Sequence, residues 1–387
     1  LADNKIGPKG ARAICSNTTW NNLRTLDLSE NSINDSGVTE LGKNRTWKNL
    51  EELFLASNSL DVTGIAEICN NTTWSNLKKL DVSCNRIGDY GGEAIGQNTA
   101  WKNLEKLLLA RNEIGDHGAI SIGSNTTWRN LKTLDLGRNH IGDIGAKAIG
   151  KNSSWESLEH LLLSGNQIGD IGAAGICSNS SWKRLRMLDL SNNRLEDECG
   201  TAIGMNSTWK NLRTLWLLNN QIGDKSAAGI GSNTSWKNLR ILGLSDNQIG
   251  DTGGAAIGKN ASWKMLEELQ LDGNHIGDEG AIGIASNSAW RNLQYLSLVG
   301  NHIGDAGGSV IGRNSSWKIL ECLQLANNRT AWKTALSTAG NSNWPYIDSI
   351  NLSYNVGMTV ERINALKTLG LPKTKYILQH FTVAHHI

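Results

Sequence analysis

Three groups of residues in this 387-residue chain have types and spacings that could do chemistry. Gly145-Ala146-Lys147-Ala148-Ile149-Gly150-Lys151-Asn152 nearly matches the phosphate-cradling pattern GxxxxGK[ST], and near copies recur at Gly37 to Asn44 and Gly253 to Asn260. A phosphate loop must precede its helix, so that N–H groups at the helix start face the anion. Here the helical pattern lies between the two glycines, so the direction is wrong. His275 and His302 stand 27 residues apart and read as neighbours, but a metal needs more than two ligands and no Cys or acid column joins them. His380, His385 and His386 gather near the C-terminus without ligand spacing. Ten of the thirteen helix-exit asparagines begin N-x-[ST] sequons: Asn17, Asn44, Asn71, Asn125, Asn152, Asn179, Asn206, Asn233, Asn260 and Asn314. No Ser-His-Asp or Cys-His group converges, and G-x-S-x-G is absent. The expectation is a non-enzymatic chain with no catalytic residue, no metal and no cofactor.

Charge and composition exclude further classes. Lys and Arg total 38 and Asp and Glu 36, a net charge of +2, with 19% of residues charged. Read as interspersed, these charges form no nucleic-acid footprint and no polybasic membrane patch. The apolar runs are short, such as Ala281 to Ala285, far below the ~18–20 residues that span a bilayer. The opening LADNKIGPKG does not read as a signal peptide. Cys15, Cys69 and Cys177 share one repeat position and Cys84, Cys199 and Cys322 occupy three others, too sparse for a disulfide framework. Free thiols suit a reducing, cytoplasmic compartment, with an extracellular location as the alternative.

The elements that position all these residues are announced by tryptophan. Trp20, Trp47, Trp74 and onward to Trp317 recur at a constant interval of 27, and Trp344 makes thirteen; only Trp216 and Trp332 fall outside. A fixed period of this length signals a solenoid and overrides a domain count taken from length. Counting from each Trp, Leu or Ile recurs at +3, +6 and +8, and Asn at +11 in all thirteen repeats, from Asn31 to Asn355. The L-x-L alternation marks a short strand with +6 and +8 facing inward. The Asn ends the strand, and its amide can bond unpaired backbone groups at every rung. Asp at +15 (Asp143, Asp170, Asp224, Asp251) is placed as a helix N-cap. Ala146 and Ile149 give a single helical stripe. Asn at the helix exit (Asn152, Asn179) suits a left-handed C-cap.

L-x-x-L-x-L-x-x-N-x-[IL], followed by GDxGAxAI and an NTT or NSS exit, resembles the ribonuclease-inhibitor-like class of leucine-rich repeats. That class includes the recognition regions of NLR-type receptors and Ran GTPase-activating protein. The resemblance covers residues 1 to about 357 and departs by its Trp column and its 27-residue period. It implies an α/β horseshoe with a parallel sheet on the concave face and helices on the convex face. Residues 1–355 form the solenoid and 356–387 a C-terminal cap, with Trp332 covering the last regular helix. Leu1 falls at +8 of a repeat whose Trp is missing, so the chain reads as a piece of a longer protein, and an uncapped N-terminal end allows self-association.

Positions +5, +7 and +9 point outward from the strand. The +7 column alternates Asp27, Phe54, Asp81, Leu108, Asp135, Leu162, Asp189, Trp216 and then breaks; the +4 column alternates Arg24, Glu51, Lys78, Glu105, Lys132, Glu159, Arg186. Both indicate duplication of a two-repeat unit. Beyond that ancestry, Leu162, Met187, Trp216, Leu218, Ile241, Tyr295 and Val299 enrich the concave face in bulky apolar residues, rimmed by Asp135, Asp189, His160, Glu268 and Asp272. This is the composition of an interface hot spot. The sequence therefore predicts a scaffold that recognises a protein or peptide, with no nucleic acid and no membrane insertion. Two alternatives are a regulator of a partner enzyme, such as a GTPase-activating protein using Arg111 and Arg138, and an extracellular glycosylated recognition protein.

Overall fold

The computed structural model describes residues 1–355, 358–369 and 371. Each repeat folds into a three-residue strand, a turn, a helix and a return loop, and together they make two compact halves, residues 1–193 and 194–387. The first half holds α1 (Gly7–Cys15), β1 (Thr25–Asp27), α2 (Asn34–Lys43), β2 (Glu52–Phe54), α3 (Val62–Cys69), β3 (Lys79–Asp81), α4 (Gly88–Gln97), β4 (Lys106–Leu108), α5 (Asp116–Ser124), β5 (Thr133–Asp135), α6 (Asp143–Gly150), β6 (His160–Leu162), α7 (Asp170–Cys177) and β7 (Met187–Asp189). Its strands pair in sequence order, all parallel, in a register offset of one repeat, from Thr25 opposite Glu52 to Leu162 opposite Asp189.

The second half repeats the pattern: α8 (Cys199–Met205), β8 (Thr214–Trp216), α9 (Asp224–Gly231), β9 (Ile241–Gly243), α10 (Asp251–Gly258), β10 (Glu268–Gln270), α11 (Asp278–Ala285), β11 (Tyr295–Ser297), α12 (Asp305–Gly312), β12 (Cys322–Gln324), α13 (Trp332–Gly340), β13 (Ser349–Asn351) and α14 (Val360–Thr368). These strands too are parallel and consecutive. Of the expected cap, α14 is present, whereas the strand-like stretch 375–383 lies outside the described residues. Trp332 is the first residue of α13.

The core of a rung is its Trp, the leucines at +3, +6 and +8, and the inner stripe of its helix. Twelve of the thirteen tryptophans are fully buried; Trp20 is 42% exposed, with Trp47 stacked 6.2 Å from it on one side. Trp155, Trp182 and Trp290 donate Nε1–H to the carbonyl of the helix-exit Asn one rung back, at 3.0–3.1 Å. Neighbouring helices approach so closely that a methyl group on Gly150 would meet the carbonyl oxygen of Gly175 at 2.2 Å. Glycine there is a packing requirement.

Three side-chain ladders join the rungs. The buried +11 asparagines behave as the sequence predicts: Asn139 Nδ2 donates to the Leu109 and Leu136 carbonyls, and Asn139 Oδ1 accepts from the amides of Asn112 and Ile114. Leu1 keeps the same register, its carbonyl receiving Asn31 Nδ2 at 2.8 Å.

The second ladder corrects the expected N-cap. The residue capping α6, α10 and α11 is glycine, and Asp at +15 is the first helical residue. From there its carboxylate serves the next rung. Asp116 Oδ1 accepts from the Gly142 and Gly145 amides and Asp251 Oδ1 from those of Gly277 and Gly280, all at 2.7–2.8 Å. Asp61, one position earlier in its repeat, is a cap of the local kind and accepts from Thr63 N.

The third ladder corrects the helix exit. Asn44, Asn98, Asn125 and Asn341 end their helices with extended backbone, ψ 103–118°. The left-handed residues lie instead at +10, just past the strand, where Glu30, Arg111, Arg138, Asp246 and Gly273 all have φ between 54 and 59°. A non-glycine residue there carries roughly 1–2 kcal/mol of steric cost. The exit asparagine works through its side chain: Asn152 Nδ2 donates to the Gly123 and Asn125 carbonyls one rung back, and its Oδ1 accepts from Ser154.

Because the +15 carboxylate caps the following helix, Asp251→Ala should destabilise the fold by about 1 kcal/mol. Faster hydrogen exchange should appear at Gly277 and Gly280, at the start of α11, and not at the start of α10. Loss of protection confined to α10 would return Asp251 to the role of a local cap.

Candidate functional site

The outward positions divide between the two halves. In the first half, β5 to β7 carry Asp135, His160, Leu162, Met187 and Asp189, with Asp135 opposite Leu162, Leu162 opposite Asp189 and His160 opposite Met187. All five are half-buried. The two carboxylates are committed to their own turns, Asp135 Oδ1 accepting from Gly137 N and Asp189 Oδ1 from Ser191 N at 2.9 Å. Burial raises the Asp135 carboxyl above its ordinary range against the Gly137 bond, and the charges of Asp81 and Asp189 push the same way. Burial also lowers the His160 imidazole, whose Nδ1 lies 3.3 Å from Thr133 Oγ1. Arg111 and Arg138 are exposed in the turns after β4 and β5.

In the second half the face is built around Trp216. Its ring lies over Gly243 on the adjacent strand: a methyl group added there would sit 2.1 Å from Trp216 Cε3 and 2.7 Å from Leu218 Cδ1. Gly243 is the only glycine in the +7 column, and that is the one signal by which the seat could have been found. Trp216, Leu218, Ile241, Tyr295 and Val299 are half-buried, not fully exposed.

Beside them Asp272 is gripped by neighbouring rungs. Its Oδ1 accepts from Val299 N at 2.8 Å and from Ser297 Oγ, its Oδ2 from Ser245 Oγ at 3.5 Å, and Ser245 Oγ also receives the Asp272 amide at 3.1 Å. Glu268 accepts from Gln270. Burial raises the Asp272 carboxyl above its usual range, opposed by the Ser297 and Val299 bonds and reinforced by Asp246. Tyr295 is raised as well, first by burial and then by nearby charge from Asp272 and Glu268. On β8 to β13 the outward columns hold no Lys, Arg or His. Sequence reading missed Ser245, Ser297 and Gln270, because small polar residues in a variable column give no signal.

The remaining candidates fall where the repeat puts them. Between Gly145 and Gly150 the chain is α6, so the phosphate-loop match is a product of the period. His275 and His302 stack at the surface, ring centroids 5.6 Å apart, and among the described residues no group of three or more His, Cys, Asp or Glu could hold a metal. His380, His385 and His386 lie outside the described residues. The six cysteines are free, and burial pushes the Cys15 thiol up to about 12. Eight of the sequon asparagines (Asn44, Asn71, Asn125, Asn152, Asn179, Asn233, Asn260, Asn314) are buried with Nδ2, the atom that would bear a glycan, donating to a carbonyl one rung back. The sequon is thus a structural motif of the folded chain. The +4 column is an ion-pair zipper: Glu51 binds Arg24 and Lys78 at 2.9 and 2.8 Å, and Arg186 binds Glu159 at 2.9 Å. The most exposed apolar side chains of the first half are on its helices, Tyr90, Ile144 and Ile171, each about two-thirds exposed, a feature the strand-centred reading did not anticipate.

Two family models match. One, described as Leucine Rich repeat, matches residues 1–15, 21–42, 75–96, 102–123, 129–150, 237–258, 264–285 and 291–312; another, Leucine Rich repeats (2 copies), matches residues 156–200. Together they cover more than half of the sequence. No curated relative matches it. Among solved structures, an internalin from Listeria monocytogenes is similar at a TM-score of 0.57 and 20% identity, over 90% of this chain and 94% of that one. A repeat protein of Leptospira interrogans is similar at 0.53 and 19%, over 95% and 98%. No described helix is long and apolar enough to cross a membrane.

The raised Asp272 carboxyl makes a pH prediction. Its folded value lies above its unfolded one, so its contribution to stability is fully present below the unfolded value and lost as pH rises through the folded one. Asp272→Asn, which stays neutral, should match wild type near pH 3.5 and gain in melting temperature relative to it as pH climbs through the carboxylate range, levelling above it. Melting curves at successive pH values test this; a constant difference from acid to neutral pH would show that the charge is fully compensated.

Proposed function

The chain belongs to the leucine-rich-repeat family, and from that premise we propose that it is a non-enzymatic scaffold that recognises a protein or peptide on its strand face. The observation that carries the reading is the second-half face. Trp216, Leu218, Ile241, Tyr295 and Val299 lie there half-covered, beside Glu268 and Asp272, with no cation in the outward columns. The Trp, the inward leucines, the +11 Asn, the +15 Asp and the exit Asn are consumed in building the rung. Bulky anchors next to fixed polar groups are what a hot spot consists of. In the first half, Leu162, Met187 and His160, with Asp135 and Asp189, supply a second candidate stretch of face.

We place the protein in the ribonuclease-inhibitor-like class and read it as the recognition region of a larger receptor-like molecule. Full α-helices on nearly every rung support the class. The structural neighbours establish the fold alone. Six free thiols, three of them buried (Cys15, Cys177 and Cys199), support a cytoplasmic location; the alternative is an extracellular one, which the binding surface inferred below requires.

The test begins with partners captured from native lysate and identified by mass spectrometry, followed by affinity measurements on the purified pair. Trp216→Ala should weaken binding by ~2 kcal/mol or more, and Ile241→Glu should act likewise by placing a charge in a desolvated patch. Gly243→Ala should do so without deleting any anchor, because the new methyl group displaces the Trp216 ring. A change on the helical side of the same half, Thr252→Glu, should leave affinity unchanged. If the strand-face variants fold by circular dichroism and keep full affinity while Thr252→Glu loses it, recognition is on the helices and the proposal fails.

A further inference from the structure

A net charge near zero conceals charge sorted by edge. In the second half the residue after the repeat Trp is a cation on five successive rungs: Lys210, Lys237, Lys264, Arg291 and Lys318, every one exposed. The same helix-exit stretches, 203–211, 230–238, 257–265, 284–292 and 311–319, add Lys259 and Arg313 and contain no Asp or Glu. Among the described residues none of these seven cations enters an ion pair. Lys318 Nζ reaches only Asn343 Oδ1, at 2.8 Å, and Arg313 Nε the Ser309 carbonyl, at 3.1 Å.

The row is held in register. Asn238 Nδ2 donates to the Lys210 carbonyl and Asn292 Nδ2 to that of Lys264, both at 2.8 Å, so the loops stack rung on rung. At a strand spacing of about 4.8 Å, five rungs set their cations along roughly 19 Å.

Helix dipoles do not account for it. Lys259 and Arg313, one residue past α10 and α12, do answer the negative helix end, but that influence fades within the last turn. The row lies five or six residues beyond. The carbonyls at the helix ends are moreover already occupied, Gly204 by Asn233 Nδ2, Gly231 by Asn260, Gly258 by Asn287 and Ala285 by Asn314.

We infer that this edge of the second half is a binding surface for a linear sulfated polysaccharide. One unpaired cation per rung at constant pitch complements a polymer with anionic groups on successive sugar rings, rather than a compact anion. Between rungs, a groove of about 640 Å³ sets Lys259 beside Thr234, a cation with a hydroxyl donor suited to sulfate oxygens, while the Ser232 and Ser262 hydroxyls that also line it donate to the Gly229 carbonyl and to Asn260 Oδ1. Single-stranded nucleic acid binds by stacking its bases on aromatic side chains, and the five rungs of the row offer none, since Trp209, Trp236, Trp263, Trp290 and Trp317 are fully buried; the exposed Tyr346 lies one rung beyond Lys318. The inference is independent of the strand face.

The probe is a heparin oligosaccharide, titrated into the full chain at about 50 and 200 mM salt, the range over which polyanion contacts weaken steeply. Tight binding is expected at low salt. Lys237→Glu/Lys264→Glu should weaken it at least about tenfold, and the neutral Lys264→Gln about twofold to threefold, consistent with one lost contact. Lys225→Glu/Arg329→Glu, with the same change in net charge on the opposite edge, should stay near wild type. No heparin binding at low salt, equal loss in both double variants, or tighter binding of a single-stranded oligonucleotide than of heparin would each overturn the proposal.

Discussion

A rung of this chain cannot satisfy its own backbone, and everything else in the structure follows from that. The strand's last carbonyls, the start of each helix and its end all point polar groups into a region without water, where an unmade hydrogen bond costs about 1–3 kcal/mol. Each group is met by a side chain 25 to 30 residues away on the next rung: Asn139 for the turn of the rung before, Asp116 for the helix start of the rung after, Asn152 for the helix end of the rung before. Three ladders at one spacing fix the period. An inserted residue would put all three out of step at once, which is why the Trp interval never departs from 27 across thirteen repeats.

That constraint also explains what was legible in the sequence. The strand, helix and core positions follow from period and pattern, because identical rungs repeat the same signal thirteen times. The +11 asparagine was readable for the same reason: a buried amide at a strand end has few other uses. Asp at +15 and the exit asparagine were placed correctly but given local roles. Sequence spacing within one repeat favours an N-cap and a left-handed C-cap, and only the stacked neighbour reveals a better partner one rung away. The Trp216 seat on Gly243 and the Ser245–Asp272–Ser297 grip were not legible, since they depend on side chains meeting across strands.

Charge shows the same limit of reading along the chain. Most helices of this repeat begin with Asp, as the dipole favours, whereas those of the second half carry no Lys or Arg in their last turn and the cations of its row stand in the return loops five or six residues farther on. Acid therefore gathers at one edge of the second half and base at the other. Asp224, Asp251, Asp278 and Asp305 line one edge of the second half, and Lys210, Lys237, Lys264, Arg291 and Lys318 the other. A net charge of +2 averages over both. Interspersed along the sequence is not interspersed in space.

The strand face is where the ladders leave freedom, and the two halves use it differently. In the first half the +7 acids Asp27, Asp81, Asp135 and Asp189 each accept from the amide two residues on, so the alternating column is tied to its own turns. From β8 to β11 that column reads Trp216, Gly243, Gln270, Ser297 and the local bond is gone, to return at Asn351, which accepts from Ser353 N. The carboxylate has moved to +9, where Asp272 is held by residues of both adjoining rungs rather than by its own. A side chain fixed by its neighbours can be replaced without unmaking a turn. The second half has thus exchanged a repeating structural device for positions whose identity the fold no longer dictates, and those positions hold the bulky anchors.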